Sequence, residues 1–304
     1  MSATHSSDVV EAVRIGFIGT GLIGAPMVER LLSCGRDVTI WNRSPEKCAS
    51  LVAAGAHLAE SPAALARDTD IVCLCLTDTA AVQDVVFGDG KLATALREDS
   101  LVVDLSSIAP DATREMAARL ATQCGASWLD APVSGGVPAA RAGTLIVFAG
   151  GDADDIVRAA PVFSALAQRV THMGGRGAGQ LTKSCNQQLV ACNLMVMAEM
   201  LAFAERAGVD ASRLPAALAG GFADSLPLQI FGPRMASGID TPRLGAVGTF
   251  RKDIEQVVRL AAEVGAHTPV TSAALAQYRA ALAHADIGAD ADASRLIRLV
   301  REHA

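Results

Sequence analysis

A chain of 304 residues, 51% of them hydrophobic, has the length for about two domains and enough apolar side chains to bury a large core. Its net charge of −6, without a basic stripe, argues against nucleic acid or an anionic membrane surface as a main partner. The seven cysteines are odd in number and form no Cys-x-x-Cys pair, and the six histidines show no ligand spacing. Reduced core thiols in a cytoplasmic protein without a bound metal are therefore expected.

The polar stretch Met1 to Glu11 lacks the apolar centre of a signal peptide, and no apolar run approaches the roughly 18 residues needed to cross a bilayer. The first ordered element is a buried strand over 14–19, which runs into the turn Gly19-Thr-Gly21-Leu22-Ile23-Gly24 and then into a helical pattern reaching about Cys34. Glycines in this order let the backbone turn tightly and approach a pyrophosphate held on the helix N-terminus. A second strand, Val38 to Trp41, carries Asn42, Arg43 and Ser44 at its tip. An NAD site usually places Asp or Glu there to accept from the ribose 2′-hydroxyl. Asn42 brings no charge to repel a 2′-phosphate, and Arg43 with Ser44 can hydrogen-bond one, so NADP(H) is expected ahead of NAD(H). The plainer alternative is a solvated loop in which Arg43 stacks on adenine.

Ser44-Pro45 and Ser61-Pro62 are helix starts. Two further apolar strands follow, ending in Leu76-Thr77 and in Leu105-Ser106-Ser107, although the two serines suit helix caps equally. Strands alternating with helices predict a doubly wound, Rossmann-type parallel sheet whose ligands lie beyond the strands' carboxyl ends. The strand at Trp128 empties into Ser134-Gly135-Gly136, which suits either a carboxylate-binding nest of N–H groups or a plain turn. A strand near 169–173 closes the domain at about residue 175.

From Gln180 to Arg206 the chain has no Pro or Gly and is apolar on every face, so a long helix buried between domains or subunits is expected. Only helical patterns follow, giving an α/β domain over 12–175 and an all-α domain over 176–304. Lys183 sits one turn into the long helix with Asn186 on the same face. A lysine buried there trades a proton near neutral pH; one that reaches solvent from the first turn does not. Lys252-Asp253 is a second cationic position, or an ordinary surface pair.

The motifs Gly19-x-Gly21-x-x-Gly24, Asp130-Ala-Pro-Val-Ser-Gly-Gly136, Gly143-Thr-Leu145, Gly179-x-x-x-Lys183-x-x-Asn186 and Lys252-Asp253 stand in the order of the β-hydroxyacid dehydrogenase family, which the chain resembles from residue 14 to about 300. The resemblance implies a nicotinamide-dependent oxidoreductase acting on a small carboxylate of the 2-hydroxy-3-oxopropionate or 3-hydroxyisobutyrate type. Lys183 is then the general acid or base, Asn186 helps hold substrate, and Ser134, Gly135 and Gly136 bind its carboxylate. Ser107 and Lys252 contact the cofactor. The chain departs from the family in carrying Gln187 after Asn186 where a second Asn is common. Asp224, in a segment that varies with substrate, either faces the ligand or caps a helix. A homodimer or homotetramer is expected, because the long helix needs more cover than the C-terminal residues give. The alternatives are an imine reductase, which typically replaces the lysine, and a non-catalytic dinucleotide-binding protein.

Overall fold

Each apolar run of the first half is short, rich in β-branched residues and bounded by turn residues, and each becomes a strand. The computed structural model describes residues 13–88 and 91–302, so the polar stretch Met1 to Glu11 lies outside the described residues. The chain divides into two units, 1–183 and 184–304.

In the first unit, β1 (Ile15–Ile18), α1 (Gly24–Ser33) and β2 (Val38–Trp41) are followed by α2 (Ala49–Ala53), β3 (His57–Leu58) and α3 (Pro62–Asp68). Next come β4 (Ile71–Leu74), α4 (Thr79–Phe87), β5 (Leu101–Asp104), α5 (Pro110–Cys124) and β6 (Ser127–Asp130). The Rossmann order β3-β2-β1-β4-β5-β6 is parallel throughout. Side chains alternate between two cores. Ile15, Phe17, Cys73 and Val103 point to one face and Ile18, Val72, Leu74 and Val102 to the other, as a sheet covered on both sides requires.

Beyond β6 the sheet is not purely parallel. After β7 (Val133–Ser134) and α6 (Gly136–Ala142), β8 (Leu145–Gly150) runs antiparallel to both β6 and β7. Helices α7 (Ala153–Arg158) and α8 (Ala160–Leu166) then supply a crossover, and β9 (Ala167–Gly174) pairs parallel to β8.

Helix α9 (Ala178–Arg206) leads into the second unit. There α10 (Leu214–Leu218), α11 (Leu226–Ser237), α12 (Val247–Glu263), α13 (Pro269–Ala283) and α14 (Leu296–Glu302) surround a core of their own. The two compact units divide at Lys183/Ser184, inside α9, because the opening turn of that helix is bonded to the sheet. One expectation for this helix is corrected. By length and composition it is apolar enough to cross a membrane, whereas no such run was expected; its inner face, with Ala191, Leu194, Ala198 and Leu201, is core of the second unit. Within the single chain Leu189, Val196 and Phe203 are 75%, 57% and 73% exposed, so the second unit's core covers only part of the helix.

Candidate active site

The turn after β1 is held by close backbone contacts. A Cβ on Gly19 would stand 2.2 Å from the Cys75 carbonyl oxygen, and one on Gly24 would stand 1.9 Å from the Gly19 oxygen. Gly19 also has φ +100°, a conformation that side chains disfavour. Gly21 differs: a Cβ there meets nothing within 4 Å. The space in front of Gly21 is therefore open to a ligand, at the N-terminus of α1, where unsatisfied N–H groups favour an anion. This fits the pyrophosphate of a dinucleotide.

A cavity of about 200 Å³ opens there, between the ends of β1 and β4, where the strand order reverses direction. Gly19, Gly21, Asn42, Arg43, Ser44, Leu76 and Thr77, all expected at the cofactor, line it together. Leu22, Ile23, Gly24 and Ser107 are not in its lining. Gly24 serves the packing of the turn, while Leu22 is 72% exposed.

Asn42 has an inward role. Its Nδ2 donates to Thr20 Oγ1 at 2.7 Å and its Oδ1 accepts from the Ser44 N–H at 3.1 Å, which ties the tip of β2 to the glycine turn. Asn42 thus shapes the loop, and the exposed Arg43 and Lys47 supply its charge. Ser44 precedes a short helical turn, Pro45–Cys48, without using its hydroxyl as a cap. That turn carries Lys47 into the cavity lining, a position the sequence reading missed although it lies one helical turn beyond Arg43. Across the cavity Lys91 stands 5.8 Å from the Trp41 ring centroid and 3.9 Å from Asp84 Oδ2. The one carboxylate in the lining among the described residues is therefore accompanied by a cation.

The carboxyl ends of β5 and β6 carry two buried carboxylates side by side, Asp104 and Asp130. Neither serves as a helix cap on its own element. Burial pushes Asp104 up to about 7, against hydrogen bonds from Ser106 that favour its charge. Its Oδ1 accepts from the Ser106 N–H at 3.0 Å, and its Oδ2 has no hydrogen-bond partner among the described residues. Burial also raises Asp130, opposed by N–H groups at the start of α9. Asp130 Oδ1 accepts from Gly177 N–H at 2.7 Å and Oδ2 from Gln180 N–H at 2.9 Å, so a strand residue caps the helix that carries Lys183. Gly179 permits this seat, since a Cβ there would lie 2.3 Å from the Phe148 oxygen. Ser106 is not a helix cap either: its hydroxyl accepts from the Leu76 N–H at 2.9 Å and joins the ends of β4 and β5. Helix α5 begins after Ala109 without a side-chain cap, so Ser107 is no cap for it.

The Ser134 turn has Gly135 at φ +127° and Gly136 at φ +65°, which accounts for two glycines at this point and exposes successive N–H groups. In the second unit, Asn186 Nδ2 donates to Gln187 Oε1 at 3.0 Å, and Gln187 Nε2 donates to Asp253 Oδ2 at 2.7 Å. Asp253 Oδ1 lies 3.4 Å from Lys252 Nζ. Lys252-Asp253 is thus more than a surface pair, and Gln187, of unexplained role in the sequence, is the link that reaches Asn186. Asp224 does not cap a helix. Its carboxylate accepts from Gly220 N–H at 2.7 Å and Gln229 Nε2 at 2.6 Å on an exposed loop, and Ser225, not Asp224, caps α11. Hydrogen bonds from Gly220 and Gln229 hold the Asp224 carboxyl below its ordinary range.

Residues 14–175 match the family described as the NAD binding domain of 6-phosphogluconate dehydrogenase, and residues 177–300 match the NAD-binding domain of NADP-dependent 3-hydroxyisobutyrate dehydrogenase. The 2-hydroxy-3-oxopropionate reductase of Escherichia coli K12 is 34% identical over 94% of this chain and 96% of its own length. The chain belongs to the β-hydroxyacid dehydrogenase family. Among solved structures, the 3-hydroxyisobutyrate dehydrogenase of Mycobacterium tuberculosis with L-serine superposes with a TM-score of 0.84 at 29% identity, covering 95% of this chain and 99% of that one. Psf3 in complex with NADP+ and 2-OPP gives a TM-score of 0.84 at 27% identity, covering 94% and 99%. This family member is accordingly an NAD(P)-dependent oxidoreductase, and the cavity at the end of β1 gathers residues expected at its cofactor.

Proposed function

We propose that this β-hydroxyacid dehydrogenase prefers NADP(H) and interconverts a short β-hydroxyacid and its semialdehyde, of the 2-hydroxy-3-oxopropionate or 3-hydroxyisobutyrate type. The observation that carries the reading is the seat of α9. Asp130 ties its first turn to the carboxyl end of β6, so Lys183 stands on a helix that starts at the ligand end of the sheet. Arg43, Ser44 and Lys47 around the cavity, with no carboxylate at the tip of β2, support NADP(H).

The bound nicotinamide supplies or accepts the hydride. The chain's residues do the remainder. Lys183 gives a proton from Nζ to the carbonyl oxygen on which negative charge develops, and takes it back in the oxidative direction. Ser134 and the N–H groups of Gly135 and Gly136 hold the carboxylate, which fixes the reacting carbon for transfer. Asn186, on the same face of α9 as Lys183, steadies the substrate oxygen.

The test is turnover. Purified protein offered small semialdehydes bearing a carboxylate is expected to oxidise NADPH faster than NADH. An absence of turnover with either cofactor across such a panel contradicts the enzyme reading, and faster NADH oxidation contradicts the preference.

The exposed stripe of α9 supports an oligomer. Leu189, Val196 and Phe203 recur every seventh residue on one face, a pattern suited to packing against a second copy of the chain. Light scattering is expected to report a dimer or a tetramer; a monomer at micromolar concentration contradicts this.

A further inference from the structure

Gln180 is a glutamine 1% exposed, in the first turn of α9. A carboxamide buried to that degree costs free energy unless its donors and acceptor are used. Here its Nε2 donates to the Ser106 carbonyl oxygen at 2.8 Å, and its Oε1 accepts from the Ile108 N–H at 3.1 Å. Those two backbone groups flank one residue, Ser107. The carboxamide pairs with them as a neighbouring peptide group would in a sheet, and so fixes a segment between β5 and α5 that has no regular structure of its own. Two further contacts define the same helix start: the Asp130 carboxylate on the Gly177 and Gln180 N–H groups, and the close approach of Gly179 to the Phe148 oxygen. Both of these hold the helix axis against β6 and β8. The Gln180 side chain ties its rotation to the end of β5. Lys183 is three residues further on and shares the Gln180 face of the helix.

We infer that Gln180 is a positioning residue for the reaction, bracketing Ser107 with one hand of its carboxamide on each side and thereby setting the rotation of the turn that presents Lys183. The inference rests on the reading of Lys183 as the proton donor. Its consequence is specific. Loss of the bracket lets the 105–109 segment open and the Lys183 turn rotate, while the Asp130 cap keeps the helix in place.

The experiment uses the full chain with Gln180→Met, which keeps the volume and removes both hydrogen bonds, made in the wild-type and Lys183→Ala backgrounds. Without cofactor, amide hydrogen exchange over 105–109 is expected to speed up about tenfold or more, while the Ala131 amide, bonded to the Asp104 oxygen in the β5–β6 ladder, stays protected. With NADPH and substrate, kcat is expected to fall about tenfold in the wild-type background and less than twofold in Lys183→Ala, because a residue that acts through another loses its effect when the other is gone. Unchanged exchange over 105–109, or an equal loss of kcat in both backgrounds, overturns the inference. A fully active Lys183→Ala parent overturns the proton-donor reading and, with it, any action of Gln180 through Lys183. The exchange result then still decides whether the bracket exists.

A second variant guards against misfolding. In Gln180→Glu a protonated carboxyl can donate to Ser106 and accept from Ile108, whereas the carboxylate cannot donate. The titratable groups joined to this position are Asp130, which accepts from the Gln180 N–H, Asp104, which accepts from the N–H of the bracketed segment's Ser106, and, three residues along the same helix, Lys183; two are acids, and with burial they favour the protonated form. The kcat ratio of Gln180→Glu to wild type is expected to rise as pH falls from 8.5 to 6, and a ratio independent of pH contradicts the bracket.

Discussion

Lys183→Ala is expected to lower kcat by about 10²–10⁴-fold while leaving dinucleotide affinity within a few-fold of wild type. The size follows from what the ammonium does at the moment of transfer. As hydride reaches the carbonyl carbon, its oxygen takes on negative charge, and a cationic donor already in place lowers the barrier without reorganising water. The cofactor cavity, by contrast, is built from the ends of β1, β2 and β4, and Lys183 is not in its lining. The split between rate and binding is therefore the diagnostic. Rates measured under saturating NADPH, with affinity from fluorescence titration, check it. An unchanged kcat removes Lys183 from its role, and a parallel collapse of dinucleotide affinity points to damage of the fold instead.

The second large effect is expected at the tip of β2. Arg43→Ala should raise the KM for NADPH by about 10–100-fold, the loss of one or two charge-assisted hydrogen bonds, and should leave the KM for NADH nearly unchanged. Lys47→Ala acts in the same direction and more weakly, because a lysine offers a point charge where an arginine offers a planar fork. Both side chains are exposed in the described structure and line the same cavity, so neither substitution removes core packing. Initial rates with both cofactors for each variant decide the matter. Equal losses for NADPH and NADH contradict the phosphate assignment.

Much of this architecture could be read from local patterns. The runs at 15–18, 71–74 and 101–104 are short, apolar and closed by small or polar residues, and each became a central strand. The glycines at 19 and 24 stand where contacts under 2.5 Å admit no Cβ, a constraint strong enough to mark a sequence. What local patterns hold poorly is partnership over long separations. Asp130 and Gln180 are 50 positions apart, and Gln180 and Ser106 are 74, yet together they seat the helix that carries Lys183. Strand direction is equally silent: nothing within Leu145–Gly150 distinguishes an antiparallel strand from the parallel ones before it.

The site residues divide in the same way. Asn42, Arg43 and Ser44 line one cavity as their place on a strand tip suggested, whereas the hydrogen bonds of Asn42 to Thr20 and the Ser44 N–H were not visible in sequence. Lys47 was missed because its approach depends on the short helical turn at Pro45–Cys48. Asp224 was read from its segment as facing the ligand or capping a helix; the cap is Ser225, and the hydrogen bonds of Asp224 to Gly220 and Gln229, which close a loop, are not visible in sequence. The uniformly apolar composition of α9 suggested burial between domains or subunits, and composition does not report which face packs within its own chain.

The central claim is that this chain moves a hydride between NADPH and the carbonyl carbon of a small semialdehyde acid. The most direct measurement is isotopic: NADPH carrying deuterium at the transferable C4 position, incubated with the protein and 2-hydroxy-3-oxopropionate, followed by mass spectrometry of the hydroxyacid formed. One deuterium on the carbinol carbon is the predicted result. Hydroxyacid formed without the label, or none formed while the protein binds NADPH, contradicts it.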